Sequence, residues 1–226
     1  MHPGGSQVVK VVKVVGPGRP LRRDAERNRE RILRAARELF IEQGLSVGVD
    51  EIARRAGVGM GTLYRRFPNK DALVEETLVT AVGRVRELAV VAIEAQPPGR
   101  ALREFLVTGL SDDACRWAFV SRRLWTGRTR AAVFDEVVPL IGTMFADAQR
   151  AGLLRADVVL ADLIVLLRAL RVILELTDAP TGGTWRRYVD LMLDGLRPSD
   201  HNSRLEDPPV SLALLAGAPV TIAELR

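Results

Sequence analysis

The run AGVGMGTLYRRFPNK, residues 56–70, gathers residue types that can do chemistry on phosphate. Gly57, Gly59 and Gly61 fall within five residues, followed by Thr62, Tyr64, Arg65, Arg66 and Lys70. Two chemistries use such a run. A glycine loop can cradle the phosphate of a nucleotide, but that site needs a strand before the glycines and a parallel sheet around them. Here a polar-faced helical stretch precedes them, and no alternating strand pattern occurs. A nucleotide-binding enzyme is therefore a poor reading. The second chemistry lays a short helix on a polynucleotide backbone. The hydroxyls of Thr62 and Tyr64 and the ammonium of Lys70 suit phosphate oxygens, and such contacts fix position rather than read sequence. Lys70 also opens a long helix, where backbone N–H groups favour phosphate. Arg65 and Arg66 diverge by about 100° on a helix. One of them pairs with guanine and the other holds a phosphate or a carboxylate of helix 1. Met60 offers an apolar contact to a thymine methyl. Polar base readers are few, so DNA shape is expected to contribute to specificity.

The remaining reactive groups do not form a catalytic constellation. Asp112 and Asp113 stand where a helix should begin and are expected to cap it. Asp135 and Glu136 read as a solvated face, and neither pair has a base, metal or nucleophile nearby. One cysteine, Cys115, and two histidines, His2 and His201, are too few for an internal disulfide or a Cys/His zinc site. Cys115 is read as a small packed residue. No enzyme activity, metal or cofactor is expected.

Charge is unevenly placed along the 226 residues. Residues 1–75 hold 15 Lys and Arg against 9 Asp and Glu, a net of +6, whereas the remainder holds 18 against 19. A basic first third points to a polyanion partner for that third alone. Arg19, Arg22 and Arg23 lie in an N-terminal arm, residues 1–23. There they can track the DNA backbone or enter a narrow minor groove, and the Gly18-Arg19-Pro20 triplet matches the core of an AT-hook. No apolar run approaches the roughly 18 residues of a membrane span. VVKVVKVV, split by Lys10 and Lys13, makes a poor signal peptide, so a cytoplasmic protein with no membrane partner is expected.

Apolar residues recur at three and four almost throughout, which predicts an all-α fold. Helices are expected at 29–43, 49–56, 59–67, 70–95, 100–110, 113–126, 129–151, 156–177 and 184–196, with Pro139 dividing or kinking one of them. Asn69 is the expected N-cap of the fourth. The second and third, joined at Gly57, make a helix-turn-helix in which Gly57 takes positive φ and Val58 and Leu63 point back toward Leu39 and Phe40. The domains read as 24–75, a three-helix DNA-binding unit, and 76–197, a helical unit. A tail, 198–226, contains the apolar run LALLAGA, which either docks or stays loose.

ILRAARELFIEQG followed by VDEIARRAGVGMGTLYRRFPNKDAL resembles the DNA-binding domain of the TetR family, named for the tetracycline repressor. The match covers about 31–74, and the remainder is similar in layout only. The resemblance implies a homodimeric repressor of a palindromic operator, released when a small-molecule effector enters the C-terminal domain. It implies DNA contacts from Gly59, Met60, Gly61, Thr62, Tyr64, Arg65 or Arg66, and Lys70. The sequence departs from the family pattern in three ways. The connection between helices 1 and 2 is one residue shorter than is common. Gly48 stands where members often carry a Thr that caps helix 2 and touches phosphate, and glycine supplies neither. Gly59 stands where Ser is frequent.

For the second domain, Trp117, Phe119, Trp125, Phe134, Met144 and Phe145 are candidates to line an apolar ligand cavity, with Arg168 beside them. Arg168 and Arg171 interrupt a helix that is apolar nearly all round, so each needs a partner: Glu175, a carboxylate of a second subunit, or an acidic ligand. Leu167, Leu170, Arg171 and Leu174, with Trp185, Tyr188 and Met192 of the last helix, are candidates for half of a four-helix dimer interface. The alternative function is a helical small-molecule or partner-binding protein that no longer binds DNA.

Overall fold

The computed structural model describes residues 19–177 and 184–216. These contain helices and no strand: α1 (Arg19–Gln43), α2 (Val49–Ala56), α3 (Met60–Arg66), α4 (Lys70–Ala95), α5 (Ala101–Ser111), α6 (Asp113–Val120), α7 (Gly127–Ala131), α8 (Val138–Arg150), α9 (Leu160–Thr177), α10 (Trp185–Gly195) and α11 (Leu212–Ala216). Short 3₁₀ turns follow α1 and α6, and a π-helical turn, Ala132–Val137, joins α7 to α8.

Helix α1 starts ten residues before the expected point, so Arg19, Arg22 and Arg23 lie on its first turns rather than in an extended arm. The stretch RRDAERNRE is built of good helix formers but lacks the apolar periodicity that marks a buried face. Pro20 is tolerated in a first turn, where its missing N–H has no intrahelical acceptor. Residues 1–18 lie outside the described residues.

Ile32, Leu39, Ile52 and Leu63 are fully buried and form the centre of the first three helices. Gly57 has φ +62°, and Val58 donates its amide to the Ala53 carbonyl, closing the turn that aims α3. Arg55 of α2 donates to both carboxylate oxygens of Glu42 on α1, at 3.3 and 3.0 Å. This bond outweighs the loss of solvation, which acts the other way, and holds the Glu42 carboxyl below its ordinary range. Asn69 caps α4 through its side-chain oxygen, which accepts from the Ala72 amide at 2.8 Å.

Helix α4 packs on α1 and on α5, α6, α7 and α8, so it belongs to both halves of the molecule. Two further contacts tie the halves together. Phe40 of α1 stacks on Trp117 of α6, ring centroids 5.9 Å apart. Glu76 of α4 is gripped on one side by Arg29 of α1 and on the other by Arg128 of α7, the latter at 2.9 Å. Asp112 caps α6, accepting from the Ala114 and Cys115 amides, and pairs with Arg84 of α4 at 3.1 Å.

The expected 129–151 helix is one path with a defect. Pro139 has no N–H to return to the preceding turn. The turn before it widens, and the Val138 amide reaches the Val133 carbonyl, five residues back. Helices α9 and α10 pack side by side. The tail docks in part: α11 buries Leu215 against Ala161 and Ile164 of α9, with Phe134, Val138 and Leu160 around them.

Partial burial raises the Glu76 pKa, but Arg128 and Arg29 outweigh it and leave the group below its ordinary 4.5. A depressed carboxyl stabilises the fold above its unfolded pKa, and that stabilisation is lost as pH falls through the lower folded value. Glu76→Gln is therefore expected to cost about 1 kcal/mol at neutral pH and lower Tm by roughly 2–4 °C. The gap to the parent chain should narrow once pH drops below about 4.5. Thermal melts of both chains across pH 3.5–8 check this. A gap that stays constant with pH would remove the carboxylate as the cause.

Candidate nucleic-acid interface and apolar cavity

Helix α3 is anchored by one residue. Leu63 is buried, and at about 100° per residue Gly61 and Arg65 point nearly opposite to it, with Thr62 and Tyr64 on the flanks. Tyr64 is 47% exposed and Met60 37%. Carbon added to Gly59 or Gly61 would meet nothing within 4 Å, so both present bare backbone to the outside. Gly57 is different. Its Cβ would sit in a left-handed backbone and 2.5 Å from Nη2 of Arg31, which itself donates to the Gly57 carbonyl.

The two adjacent arginines separate as the sequence requires. Arg66 turns to α1 and pairs with Glu26 at 3.6 Å. Arg65 is exposed and makes no ion pair among the described residues. Lys70 lies in a place the sequence did not suggest. Its Nζ donates to the Leu45 carbonyl and, at 2.7 Å, to the Val47 carbonyl, so it staples the α1–α2 connection to the start of α4. That short connection leaves carbonyls turned toward α4, and an ammonium has three donors to share. Gly48 opens α2 with no side-chain cap. Arg23 is exposed on α1. The side chains of Arg19 and Arg22 lie outside the described residues.

In the second half, a cavity of about 140 Å³ lies among α4, α5, α6, the π-helical turn, α8 and α9. Of the expected lining, Phe119, Trp125, Phe134 and Arg168 are there. Trp117, Met144 and Phe145 are not. Trp117 is taken by its stack on Phe40, and Met144 and Phe145 are buried in the core, facing away from the cavity. Leu167, expected at a subunit interface, lines the cavity instead. Val82 and Val85 of α4, Phe105 of α5 and Val133 and Val137 of the π-helical turn complete much of the wall. Nothing in sequence separates a cavity wall from a filled core. Cys115 also lines the cavity, and burial foremost, with the Asp112 carboxylate beside it, pushes its thiol up to about 12, so it stays protonated. Trp125 donates its indole N–H to the Ala118 carbonyl at 3.1 Å.

The expected interface set also needs correction. Leu170, Leu174 and Trp185 are buried within the single chain. A helix that is apolar all round does not reveal which stripe faces inward. The stripe left exposed on α9 is Val165, Leu166 and Val172, with Leu191 exposed on α10 and Tyr188 and Met192 half-buried. Arg168 donates from Nη2 to the Leu215 carbonyl of α11 at 2.6 Å. The side chains of Arg171 and Glu175 lie outside the described residues. Among the described residues, no helix is long and apolar enough to cross a membrane, and no group of three or more His, Cys, Asp or Glu could hold a metal ion.

An exposed short helix held at fixed angle by a glycine turn, beside an all-helical domain with a cavity, defines a helix-turn-helix transcriptional regulator. The comparisons make this specific. Residues 32–77 match the model of bacterial regulatory proteins of the tetR family, and 97–198 match the C-terminal domain of SbtR-like transcriptional regulators. A TetR transcription regulatory protein of Mycobacterium vanbaalenii is 37% identical, with a TM-score of 0.60 over 79% of this chain and 100% of that one. A TetR transcriptional regulator of Streptomyces coelicolor is 31% identical, with a TM-score of 0.51 over 76% of this chain and 99% of that one. An HTH-type transcriptional regulator of Staphylococcus aureus is 46% identical over 54 residues, 24% of this chain; the match spans 29% of that relative's length. The chain belongs to the TetR family and is a DNA-binding transcriptional regulator.

The glycines give opposed expectations. Gly57→Ala should destabilise the chain by about 1–2 kcal/mol, because alanine strains in the left-handed region. Gly61→Ala should stabilise it by about 0.5–1 kcal/mol, since alanine is the better helix former. The same Gly61→Ala change should weaken DNA binding if the bare backbone meets the duplex. Denaturation and duplex-binding titrations of both variants check the pair. A Gly61→Ala chain that binds DNA as well as the parent would show that this backbone does not approach the duplex.

Proposed function

We propose that the protein is a homodimeric, ligand-responsive repressor of a palindromic operator. The observation that carries the reading is the division of α3 into a buried anchor, Leu63, and an outward face of Gly61, Tyr64 and Arg65. In this reading Tyr64, Thr62 and the spare donor of Lys70 hold phosphates, with Gly59 and Gly61 allowing close approach. Arg65 reads a base edge. Arg66, tied to Glu26, orients the helix on α1 and adds backbone attraction. Arg19, Arg22 and Arg23 sit on the first turns of α1, where they add positive charge near the duplex.

The dimer in this reading forms through the exposed stripe Val165, Leu166 and Val172 of α9 with Leu191, Tyr188 and Met192 of α10. It sets two α3 helices at a spacing of about 34–36 Å, one turn of the duplex. An effector in the cavity touches Val82 and Val85 of α4. Glu76, about 9–14 Å up the same helix, is bonded to α1. A shift of α4 therefore reaches the DNA-binding unit directly. The effector acts only through its different affinity for the two positions.

A duplex selected from random DNA by the parent chain supplies the test. Parent binding should weaken steeply with salt. Arg65→Ala should lose about 1–3 kcal/mol of discrimination at one base pair per half-site, whereas Arg66→Ala should weaken all duplexes alike. Salt-independent or undetectable binding of the parent chain would overturn the reading, and sequence preference unchanged in Arg65→Ala would overturn the assignment of the base reader.

A further inference from the structure

The cavity of the second half is walled almost wholly by hydrocarbon. Phe105 of α5, Phe119 of α6, Trp125 and Phe134 of the π-helical turn stand around it, with aliphatic side chains such as Val85 and Ile141 between helices. Ligand pockets ordinarily add a few placed polar groups that orient their guest. Here the polar groups of the described lining are used within the chain. The Trp125 indole N–H donates to the Ala118 carbonyl at 3.1 Å, and Arg168 donates to the Leu215 carbonyl at 2.6 Å. The Cys115 thiol is buried and stays protonated, so it offers no negative charge. Among the described residues, no buried side-chain nitrogen or oxygen lacks a hydrogen-bond partner.

Charge narrows the choice of guest further. Among the described residues, no aspartate or glutamate lines the cavity. The carboxylate beside Cys115, that of Asp112, is turned to the first amides of α6 and to Arg84. A lipophilic cation would therefore enter without a counter-ion. An anion would meet one guanidinium, that of Arg168, which already holds a carbonyl. Either ion gives up its hydration without a full set of replacement partners. An uncharged apolar molecule gives up nothing comparable and gains from the area it buries. The space is half open and about 140 Å³, comparable to a cavity of about 150 Å³ that holds benzene, so a single ring fits and the open side gives it an entry.

We propose that this cavity takes an uncharged ring hydrocarbon or a similarly apolar neutral molecule, selected by shape and apolar area rather than by charge or hydrogen bonds. The proposal rests on the reading of the cavity as the effector site and adds the ligand's chemical class. It sets aside the acidic ligand that the sequence allowed for Arg168. Gly109 gives the site a direct test. It stands in the lining on α5, and a carbon added to it meets nothing within 4 Å. A larger side chain there occupies the ligand's space and also removes a glycine from a helix interior.

The experiment uses the full chain and probes of similar size: ethylbenzene, the anion phenylacetate and the cation benzylammonium, titrated calorimetrically at neutral pH without DNA. Ethylbenzene should bind about ten-fold more tightly than either ion, or better. Toluene, one methylene shorter, should bind about four-fold more weakly than ethylbenzene. Saturating ethylbenzene should raise the Tm of the parent chain. Gly109→Leu should fold at least as stably as the parent, since leucine is the better helix former. It should nevertheless bind ethylbenzene about ten-fold more weakly and gain little Tm from it. The proposal is overturned if ethylbenzene does not bind the parent, if either ion binds as tightly as ethylbenzene, or if Gly109→Leu binds ethylbenzene as well as the parent. Because these readouts contain no DNA, a bound hydrocarbon that leaves operator affinity unchanged would count against the effector reading and leave the ligand class standing.

Discussion

The fold depends on α4 being one continuous helix that packs on both halves of the molecule, with Glu76 fixed on it from both sides. Arg29 reaches this carboxylate from α1 and Arg128 reaches it from α7. This side chain thus links the DNA-binding unit to the cavity-bearing unit. The surroundings suit the task. Glu76 is partly buried, which strengthens its attraction to the two guanidinium groups relative to a surface pair. Phe40 on Trp117 adds an apolar contact across the same junction, within a buried core that runs through both halves.

Much of this was legible in the sequence, and the illegible parts share a cause. Caps and turns are local, so Asn69, Asp112 and Gly57 announced themselves by residue type and position, and the structure has each in the expected role. Long-range partners are not local. Arg29, Glu76 and Arg128 are ordinary charged residues in sequence, separated by about 50 positions, and only the packing of α1 and α7 on α4 unites them. Trp117 was misassigned for the same reason. An aromatic on an inward stripe can face a cavity or a neighbouring domain, and its partner Phe40 lies 77 residues earlier in the chain.

The start of α1 and the inner face of α9 failed for opposite reasons. The first turns of α1 carry no apolar stripe, so a method built on periodicity does not see them, although their propensity is helical. Helix α9 carries apolar residues on every side, so periodicity has nothing to select. Leu167, Leu170 and Leu174 fall inward and Val165, Leu166 and Val172 outward. In the proposed dimer the second subunit covers this outward set, because leaving an apolar stripe in water costs free energy.

The π-helical turn explains why a cavity exists among helices that otherwise pack closely. Pro139 prevents a regular α-helical register through the preceding turn, and the chain responds with a wider one over Ala132–Val137. Widening a turn carries Val133, Phe134 and Val137 away from the path a straight helix would give them. These three line the cavity, opposite Val82 and Val85 of α4. A filled core would need side chains large enough to close that gap. Small or short residues stand there instead, Gly109 on α5 and Cys115 and Ala118 on α6. The void follows from the proline's missing N–H and from the modest volume of the residues facing it.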